Sequence, residues 1–395
     1  MNLDKYFRCY EIIDLDNIRF NIEQLNSKRK EGTGTVCVIK TDGYGHGAVP
    51  IAKVTDDLCD AYALATAAEA LNLRRHNITK PLFILGYESE YYYDEIISND
   101  IIPCVFTYET AKDLSKHAVA LGKQCKINIA VDTGMSRIGF LPNEDSVETI
   151  KRIANLDNII IESIFTHFAK ADYKDKTSAY KQLSVFSNFV HELNDEGILI
   201  PIVQCANSAA MMEMPETSMS LDRAGISMYG LYPSEEMDMD NIVLKPAMSL
   251  MSHVVHVKEV EQGVGVSYGH TYVTSQKTKI ATIPIGYGDG YSRNLSNKGY
   301  VIIRGVKVPI IGRVCMDQMM VDVTGLDVNV GDQVTLVGFD GDEHISVEEL
   351  SELAGTFNYE FVCNISKRVP RVYKYNGEIV ASKDYIEDDY QFDIN

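Results

Sequence analysis

Short apolar runs rich in β-branched residues alternate with amphipathic helical stretches over the first 240 residues. Eight runs are candidate strands: Val36–Lys40, Ala61–Ala65, Leu82–Gly86, Ile101–Phe106, Ile127–Asp132, Ser163–Phe168, Pro201–Asn207 and Ala224–Gly230. The helical stretches between them include Tyr108–Gly122, Val147–Leu156 and Thr177–Glu196. Strands that are apolar on both faces are typical of a parallel sheet. Eight such units predict an α/β fold with a (β/α)8 barrel of the TIM type, and a doubly wound sheet is the alternative.

Beyond Pro246 the pattern changes to short alternating segments separated by glycine-containing turns, which predicts a mostly-β domain. Its candidate strands are Ser252–Val260, Lys279–Ile285, Tyr300–Arg304, Val306–Ile311 and Gln333–Gly338. One helix is expected, Ser346–Ala354, with Ser346 as its N-cap and Glu349 three residues later. We therefore divide the chain into a barrel (1–242), a C-terminal mostly-β domain (243–383) and an acidic tail (384–395).

Charge and cysteine content exclude several classes of function. Acidic residues outnumber basic ones by 56 to 37, so neither nucleic acid nor an anionic membrane is an expected partner. The eight cysteines are scattered without a CxxC pair, so we expect neither a metal site nor a disulfide scaffold. The N-terminus lacks the layout of a signal peptide, and no apolar run reaches transmembrane length. These features predict a soluble, cytoplasmic protein.

The first chemical candidate is Lys40, because functional residues of a barrel lie at the carboxyl ends of its strands. Burial lowers the pKa of a lysine amine from about 10.4 and makes the amine a usable nucleophile or base. The alternative is a lysine that merely emerges from the barrel rim. The following segment, Gly43–Gly47, allows close backbone approach and a helix start at Ala48, but it has neither the Rossmann nor the Walker spacing.

A second group of candidates lies at strands seven and eight. Ser208 is at a helix N-terminus, where it either caps the helix or holds a phosphate. Gly225 and Ile226 offer backbone N–H groups in the region where barrels commonly hold phosphates. Together with Lys40, these residues outline a mouth that can hold a phosphorylated aldehyde cofactor as a Schiff base.

Several segments along nearly the whole chain resemble those of the alanine racemases. They are Val38–Gly47, Asp132–Gly139, Thr166–Ala169, Ala206–Ala210, Arg223–Ile226, Tyr229–Gly230, Val266–Tyr272, Pro284–Gly290 and Gly312–Gln318. Alanine racemases use pyridoxal 5'-phosphate to interconvert L- and D-alanine, which supplies D-alanine for peptidoglycan. The resemblance implies this activity and cofactor, a barrel followed by a β domain, and a cytoplasmic homodimer with composite active sites.

The resemblance implies two catalytic bases. Lys40 would carry the cofactor as an aldimine and, once released by the substrate, act on one face of Cα. Tyr268 would act on the opposite face, because a proton removed from one face must be returned to the other. A tyrosine with a pKa near 10 is a poor base unless its neighbours stabilise the phenolate, a role that the resemblance gives to His167 and Arg223.

The resemblance also implies the remaining site residues. The cofactor would be bound by Lys40, Tyr44, His167, Asn207, Ser208, Arg223, Gly225, Ile226 and Tyr359. The substrate carboxylate would be bound by Arg137 and the Met316 N–H, and Tyr287 and Asp317 would line the substrate corridor. Arg223 would face the pyridine nitrogen and, being protonated, keep that nitrogen unprotonated, which favours racemisation over transamination. A tyrosine at position 359 favours alanine over serine.

One position departs from the family pattern. Many relatives carry a lysine seven residues before the arginine matched by Arg137, where this chain has Ala130, so an anion or another side chain would have to orient Arg137. Three alternatives to an alanine racemase stay open at this point. They are a racemase of serine or several small amino acids, a non-catalytic pyridoxal-phosphate barrel that would lack the segment around Tyr268, and a phosphate-sugar barrel enzyme.

Overall fold

The computed structural model describes residues 3–387. Its contacts divide the chain into two units, one of residues 17–245 and one that combines residues 1–16 with 246–395. A 3-10 turn (Leu3–Tyr6) precedes the first strand, β1 (Cys9–Asp14), and the first α-helix, α1 (Leu15–Asn26), and the division falls inside α1. This differs from the division expected from the sequence, which placed residues 1–16 in the barrel.

The unit of residues 17–245 contains a strand at each of the eight predicted barrel positions, one of them split in two. The strands are β2 (Gly34–Val38), β3 (Ala61–Leu64), β4 (Leu82–Ile84), β5 (Ile101–Ile102), β6 (Cys104–Val105), β7 (Cys125–Ala130), β8 (Ile159–Phe165), β9 (Ile202–Gln204) and β10 (Leu221–Ala224). All of their pairings are parallel. Their side chains are mostly buried, as expected for a sheet covered on both faces.

The strands close into a ring. One run pairs in the order β10–β2–β3–β4–β5, and a second pairs as β6–β7–β8–β9. Only Pro103, which has no N–H, separates β5 from β6. At the other junction, the N–H groups of Ser220 and Arg223 donate to the carbonyls of Val203 and Ala206 at 3.0 and 3.1 Å. This closure identifies a (β/α)8 barrel rather than a doubly wound sheet.

Helices connect the barrel strands. They are α2 (Lys40–Tyr44), α3 (Ala48–Thr55), α4 (Ala67–Arg75), α5 (Tyr93–Ser98), α6 (Tyr108–Leu121), α7 (Glu144–Ala154), α8 (Thr177–Asp195) and α9 (Ser208–Glu213). The predicted helices correspond to α6, α7 and α8, and α7 begins earlier than expected because Asn143 caps it by accepting the Ser146 N–H. Within residues 3–387 no helix combines the length and apolarity needed to cross a bilayer.

Each barrel strand ends earlier than expected from the sequence, and two of these differences bear on the candidate site. The first strand ends at Val38, so Lys40 begins a helical turn instead of closing the strand. The predicted strand Ala224–Gly230 was also misplaced, because β10 ends at Ala224 and Ile226–Tyr229 form a 3-10 turn. The Gly225 N–H donates to a side chain instead of a strand ladder, and the left-handed Gly230 ends the turn. Both differences occur where the chain leaves the barrel for its mouth.

The second unit is mainly β, as expected. Its strands are β11 (Met248–His253), β12 (His256–Val260), β13 (Gly265–Val266), β14 (Tyr272–Val273), β15 (Thr278–Ile283), β16 (Tyr300–Ile303), β17 (Val306–Pro309), β18 (Met319–Asp322), β19 (Gln333–Asp340), β20 (Glu343–Ile345), β21 (Arg371–Tyr375) and β22 (Glu378–Lys383). The largest sheet runs β17–β16–β19–β11–β1–β21–β22, with β20 on β19. The predicted strand Ser252–Val260 is two strands, because β11 joins this sheet while β12 pairs with β15.

Strand β1 belongs to this sheet, which explains the division of the chain. It pairs antiparallel with β11 and parallel with β21. Glu11 lies opposite Arg371 in the parallel register, and their buried side chains form an ion pair of 2.8 Å. A buried carboxylate needs such a partner, so this ion pair holds the first strand in the second unit.

The second unit also contains two α-helices, α10 (Val347–Ala354) and α11 (Asn358–Asn364). The first was expected, and the Ser346 hydroxyl caps it by accepting the Glu349 N–H at 3.0 Å. The second was not expected, because seven residues are too few to show a helical period. Residues 388–395 of the predicted acidic tail lie outside the described residues.

Candidate active site in the barrel mouth

The segment after β2 is a turn of left-handed helix. Thr41, Asp42, Gly43 and Tyr44 all have positive φ, between 50° and 65°. Such a conformation costs about 1–2 kcal/mol for each residue other than glycine, so neighbouring contacts must hold it. The turn places Lys40 at its start and Tyr44, which is buried, at its end.

Two carboxylates stabilise this left-handed turn. Glu69 accepts the N–H of Thr41 at 2.5 Å with one oxygen and the N–H of Ala65 at 2.9 Å with the other. Asp42 accepts the Ala48 N–H at 2.9 Å and so caps the first turn of α3. The turn that begins at Lys40 is thereby fixed to the loop after β3 and to the next helix.

A small polar cradle lies where β9 and β10 end. The Ser208 hydroxyl accepts the Gly225 N–H at 2.8 Å. A Cβ atom added to Gly225 would lie 3.3 Å from Ser208 Oγ and 3.6 Å from Tyr44 Oη. The hydroxyls of Ser208 and Tyr44 therefore lie close to the Gly225 backbone, which no side chain covers. Ile226 begins the 3-10 turn that follows. Such a set of donors suits a phosphate group.

The cap of α9 is Asn207, which accepts the Ala210 N–H at 3.1 Å. Ser208 is therefore not the residue whose side chain caps α9; its hydroxyl accepts the Gly225 N–H instead, and its role as a phosphate ligand stays a prediction. The Asn207 side-chain oxygen is engaged in this cap.

Arg223 lies on β10 and is only 3% exposed. Its Nη2 donates to the carbonyl oxygens of Thr166 at 2.7 Å and Cys205 at 3.2 Å, whereas Nη1 is buried and has no hydrogen-bond partner among residues 3–387. Burial lowers the pKa of the guanidinium to about 10, which still leaves it protonated at neutral pH. A buried, charged donor without a partner is costly and calls for an acceptor from outside the chain.

His167 follows β8 close to three cationic side chains. Burial, with Arg223, Arg137 and Lys40 nearby, lowers the pKa of its imidazole to about 3. The imidazole is therefore neutral at physiological pH, with one nitrogen available as a donor and the other as an acceptor. This electrostatic coupling places Lys40, Arg137, His167 and Arg223 in one neighbourhood.

Arg137 is exposed and lies in a loop after β7 that is tightly braced at its base. The Asp132 carboxylate accepts the N–H groups of Gly134 at 3.0 Å and Ser136 at 2.9 Å. Gly139 permits close approach, since a Cβ there would lie 2.4 Å from the Asp132 nitrogen. Ala130 is 1% exposed and packs among Cys104, Phe165, Leu85, Phe106 and Ile138. The surroundings of Ala130, the position at which we noted a departure from the resemblance, are thus apolar.

The remaining candidates lie in the second unit. Tyr268 is 70% exposed and adjoins Ser267, whose hydroxyl donates to the Arg313 carbonyl at 2.6 Å. The Tyr287 N–H donates to the Cys315 carbonyl at 3.0 Å, which places Tyr287 beside the strand-free segment 313–318. The exposed residues at positions 268, 287 and 316 are therefore carried by loops that pack on one another.

Asp317 forms an ion pair of 2.8 Å with Arg368, which also approaches the buried Asp289 at 3.6 Å. Asp289 in turn is bound by both terminal nitrogens of Arg8, at 2.7 and 2.6 Å.

Tyr359 is half-buried on α11. Its ring lies 5.5 Å from that of Phe357.

The residues of the barrel mouth fit a phosphorylated, ring-nitrogen cofactor. A side chain at position 225 would occupy the space beside the hydroxyls of Ser208 and Tyr44, so glycine at this position keeps that space open for a ligand. The partnerless Nη1 of Arg223 fits an unprotonated ring nitrogen as its acceptor. Lys40 supplies the amine that an aldehyde requires.

Comparison with known proteins agrees with this geometry. The family model for the alanine racemase N-terminal domain matches residues 13–233, and the model for the C-terminal domain matches residues 247–373. The chain belongs to the alanine racemase family. Members of this family depend on pyridoxal 5'-phosphate.

Several alanine racemases are similar over most of their length. The enzyme of Methanococcus maripaludis is 48% identical over 363 residues, which are 91% of this chain and 97% of that protein. The solved alanine racemase of Clostridium difficile 630 is 41% identical, with a TM-score of 0.92 over 96% of this chain and 99% of its own. That of Bacillus anthracis, solved with bound L-Ala-P, is 36% identical, with a TM-score of 0.91 over 96% and 98%.

Several polar residues that shape the mouth were not predicted, namely Glu69, Asp132 and Gln182. A signal existed for Glu69, since Thr66 and Glu69 have capping-box spacing, and this box is present. Its second role, at the Thr41 N–H, depends on tertiary structure. Gln182 also had a signal, because it interrupts the apolar stripe of α8.

Proposed function

We propose that the protein is an alanine racemase that interconverts L- and D-alanine with pyridoxal 5'-phosphate bound in the barrel mouth. The observation that carries the proposal is the buried guanidinium of Arg223, which has a donor directed to no atom of residues 3–387. The family matches over residues 13–233 and 247–373 support a racemase over a phosphate-sugar barrel enzyme. A non-catalytic carrier without a β domain does not account for residues 247–373, which match the C-terminal domain of the family.

The chain's own groups define where the cofactor is held. Ser208, Tyr44 and the N–H groups of Gly225 and Ile226 would hold its phosphate, together with Tyr359 and the helix end at Asn207. Arg223 would donate to the ring nitrogen, and Lys40 would bind the aldehyde carbon. When bound, the cofactor supplies an electron sink that makes the Cα proton of the amino acid acidic.

Racemisation then needs two proton-transfer groups on opposite faces of Cα. We assign these roles to the Lys40 amine and the Tyr268 hydroxyl, one removing the proton and the other returning it. His167 is neutral and can donate a hydrogen bond that stabilises the tyrosine oxygen as it loses its proton. Because each group acts in turn as base and acid, the enzyme would work in both directions.

Arg223 would set the choice of reaction. A guanidinium with a pKa of about 10 stays charged at neutral pH, so Arg223 would donate to the ring nitrogen and would disfavour its protonation, which would weaken the electron sink that the cofactor supplies. A weaker electron sink would favour return of the proton to Cα by Lys40 or Tyr268 over other reactions.

The substrate would be oriented by its carboxylate. Arg137 offers a forked pair of donors, and the Met316 N–H offers a third. Tyr287 and Asp317 would line the corridor to the site. Tyr359 would restrict the space beside the substrate methyl, which favours alanine over serine. Since a packed ring selects mainly by size, we expect a preference rather than strict exclusion of serine.

We further propose that the protein acts in the cytoplasm as a homodimer and that its D-alanine enters peptidoglycan. The exposure of Tyr268 (70%), Met316 (52%) and Tyr287 (43%) in a single chain supports the dimer, since exposed apolar and aromatic patches mark interfaces. We retain a barrel domain, a mostly-β domain and an acidic tail as the functional divisions of the chain, with the first strand moved to the β domain.

The test is the optical rotation of alanine solutions incubated with the cofactor-loaded protein. Rotation should decay to zero from either pure enantiomer, and in ²H₂O the product should carry one deuterium at Cα. Parallel reactions with L-serine should proceed with a lower kcat/KM. Constant rotation of both alanine enantiomers would refute the proposed function, and faster turnover of serine would shift it to the serine racemase alternative.

A further inference from the structure

Gln182 is a buried polar residue on an otherwise apolar helix face. On α8 it lies in the stripe formed by Ala179, Phe186, Phe189 and Leu193, and it is 3% exposed. Burying an amide costs free energy unless its hydrogen bonds are satisfied, so packing alone would favour leucine or methionine here. The amide therefore has to be explained by what it binds.

The Gln182 amide connects the two loops of the barrel mouth that follow β7 and β8. Its Nε2 donates to the Thr133 hydroxyl at 3.1 Å and to the His167 carbonyl at 3.0 Å. Its Oε1 accepts the Ala169 N–H at 2.9 Å. Both hydrogens and one lone pair of the amide are thus used, and all three partners lie in these two loops.

These bonds extend to the proposed catalytic groups. Thr133 is four residues before Arg137, in the loop braced by Asp132. The Thr133 hydroxyl lies 2.7 Å from the Thr166 hydroxyl. The backbone carbonyl of Thr166 accepts a hydrogen bond from Arg223 Nη2 at 2.7 Å. The carbonyl oxygen of His167 itself accepts a hydrogen bond from Gln182 Nε2. The Gln182 amide therefore contacts the loops that carry Arg137 and His167 directly, and it reaches the carbonyl that binds Arg223 only through Thr133 and Thr166.

We propose that Gln182 is a positioning residue for racemisation, which holds the loops bearing Arg137 and His167 at a fixed separation. The inference rests on the proposed function, because it takes the roles of these two side chains from it. Loss of the amide removes the bonds to the His167 carbonyl and the Ala169 N–H, so the two loops remain joined near their bases by the Thr133–Thr166 bond but lose the connection through α8. Small displacements of groups that bind a reacting substrate have large effects on rate.

The test compares Gln182→Met, which retains the volume but not the hydrogen bonds, with Lys181→Met on the exposed face of the same helix. For Gln182→Met we expect KM for alanine to rise and kcat/KM to fall about tenfold, as for the loss of a bond between positioned groups. Lys181→Met should match the wild type. Wild-type kcat and KM in Gln182→Met, with only the melting temperature lowered, would overturn the proposal.

A double-mutant cycle with Thr133→Val separates positioning from general destabilisation. If the Gln182–Thr133 bond connects the loops, the loss of kcat/KM in the double variant should be smaller than the product of the two single losses, because both variants remove this bond, whereas independent effects would multiply. Multiplying effects would therefore count against the proposal. Thr133→Val alone also keeps the test open if Gln182→Met does not fold, since it should then raise KM for alanine.

A readout without turnover distinguishes failure of this inference from failure of the proposed function. In the cofactor-free protein, the ¹⁵N imidazole resonances of His167, identified by their loss in His167→Gln, should shift in Gln182→Met and not in Lys181→Met. A wild type that does not racemise alanine would refute the function and leave this result valid. Unshifted His167 resonances would refute the role of Gln182 even if the wild type is active.

Discussion

The guanidinium of Arg223 donates through Nη2 to the carbonyl oxygen of Thr166 at 2.7 Å. The same bond fixes the direction of Nη1, which is buried without a partner among residues 3–387. The Arg223 guanidinium is thus a buried cation held by hydrogen bonds through Nη2, while its Nη1 has no acceptor among these residues. Under the proposed function, this donor would contact the ring nitrogen of the cofactor and so influence the reaction that follows.

Arg223→Glu should therefore alter the reaction as well as its rate. A carboxyl group at this position can protonate the ring nitrogen that the guanidinium leaves unprotonated. We expect racemisation to slow and a long-wavelength absorbing species to appear only when alanine is added, as recorded by stopped-flow spectroscopy. Arg223→Lys keeps the positive charge and should lose rate without producing that species. An unchanged rate and spectrum in Arg223→Glu would contradict the assigned role.

Gly225→Ala should weaken binding of pyridoxal 5'-phosphate specifically through its phosphate. The new methyl group would lie 3.3 Å from Ser208 Oγ, inside the cradle. We expect Kd for the cofactor to rise about tenfold, as for a weakened bond to a charged group, measured by fluorescence titration. Pyridoxal, which lacks the phosphate, is the control, and its affinity should not change. An equal loss for both compounds would show that the cradle does not bind the phosphate.

His167 should make the cofactor-free protein sensitive to acid. The pKa of its imidazole is about 3 when folded and about 6.5 when unfolded, so the unfolded chain binds one more proton between these values. Its contribution to stability is complete above pH 6.5 and is lost as the pH falls toward 3, by up to about 1.4 kcal/mol per pH unit. Urea unfolding between pH 7.5 and 5 should show a steeper loss for wild type than for His167→Gln. Parallel curves would contradict the lowered pKa.

The shared-site dimer is tested with two inactive variants, Lys40→Ala and Tyr268→Phe, unfolded together and refolded as a mixture. If each site combines a lysine and a tyrosine from different subunits, one site of every mixed dimer is intact. Random pairing makes half of the dimers mixed, so about a quarter of all sites should recover activity. Each variant refolded alone is the control. No recovery, with mixed dimers detected by mass, would show that Tyr268 acts within its own chain.

The barrel was predictable because the sequence pattern that indicates it is local. Each apolar run between two helical stretches is buried on both faces, and this pattern does not depend on the rest of the chain. The membership of strand β1 was not predictable, because it depends on the distant pairing of Glu11 with Arg371. Helix α11 was missed for a different reason, since its seven residues are too few to show a helical period.

The features of the candidate site likewise divide into those that the sequence could predict and those that depend on tertiary structure. Lys40 and Ser208 were found from their positions at strand ends, and the roles of Tyr268 and Arg137 came from resemblance alone. What the sequence could not predict is the left-handed turn from Thr41 to Tyr44, since three of its four residues are not glycine. That turn is stabilised by side chains such as Glu69, which is far away in the sequence.

The most direct measurement of the central claim is the position of the cofactor on the chain. The purified, cofactor-loaded protein would be reduced with borohydride, digested and analysed by mass spectrometry, with Lys40→Ala treated in parallel. The account predicts one reduced cofactor per chain, attached to the peptide that contains Lys40, and no attachment in the variant. A cofactor fixed to another lysine, or equal labelling of Lys40→Ala, would contradict it.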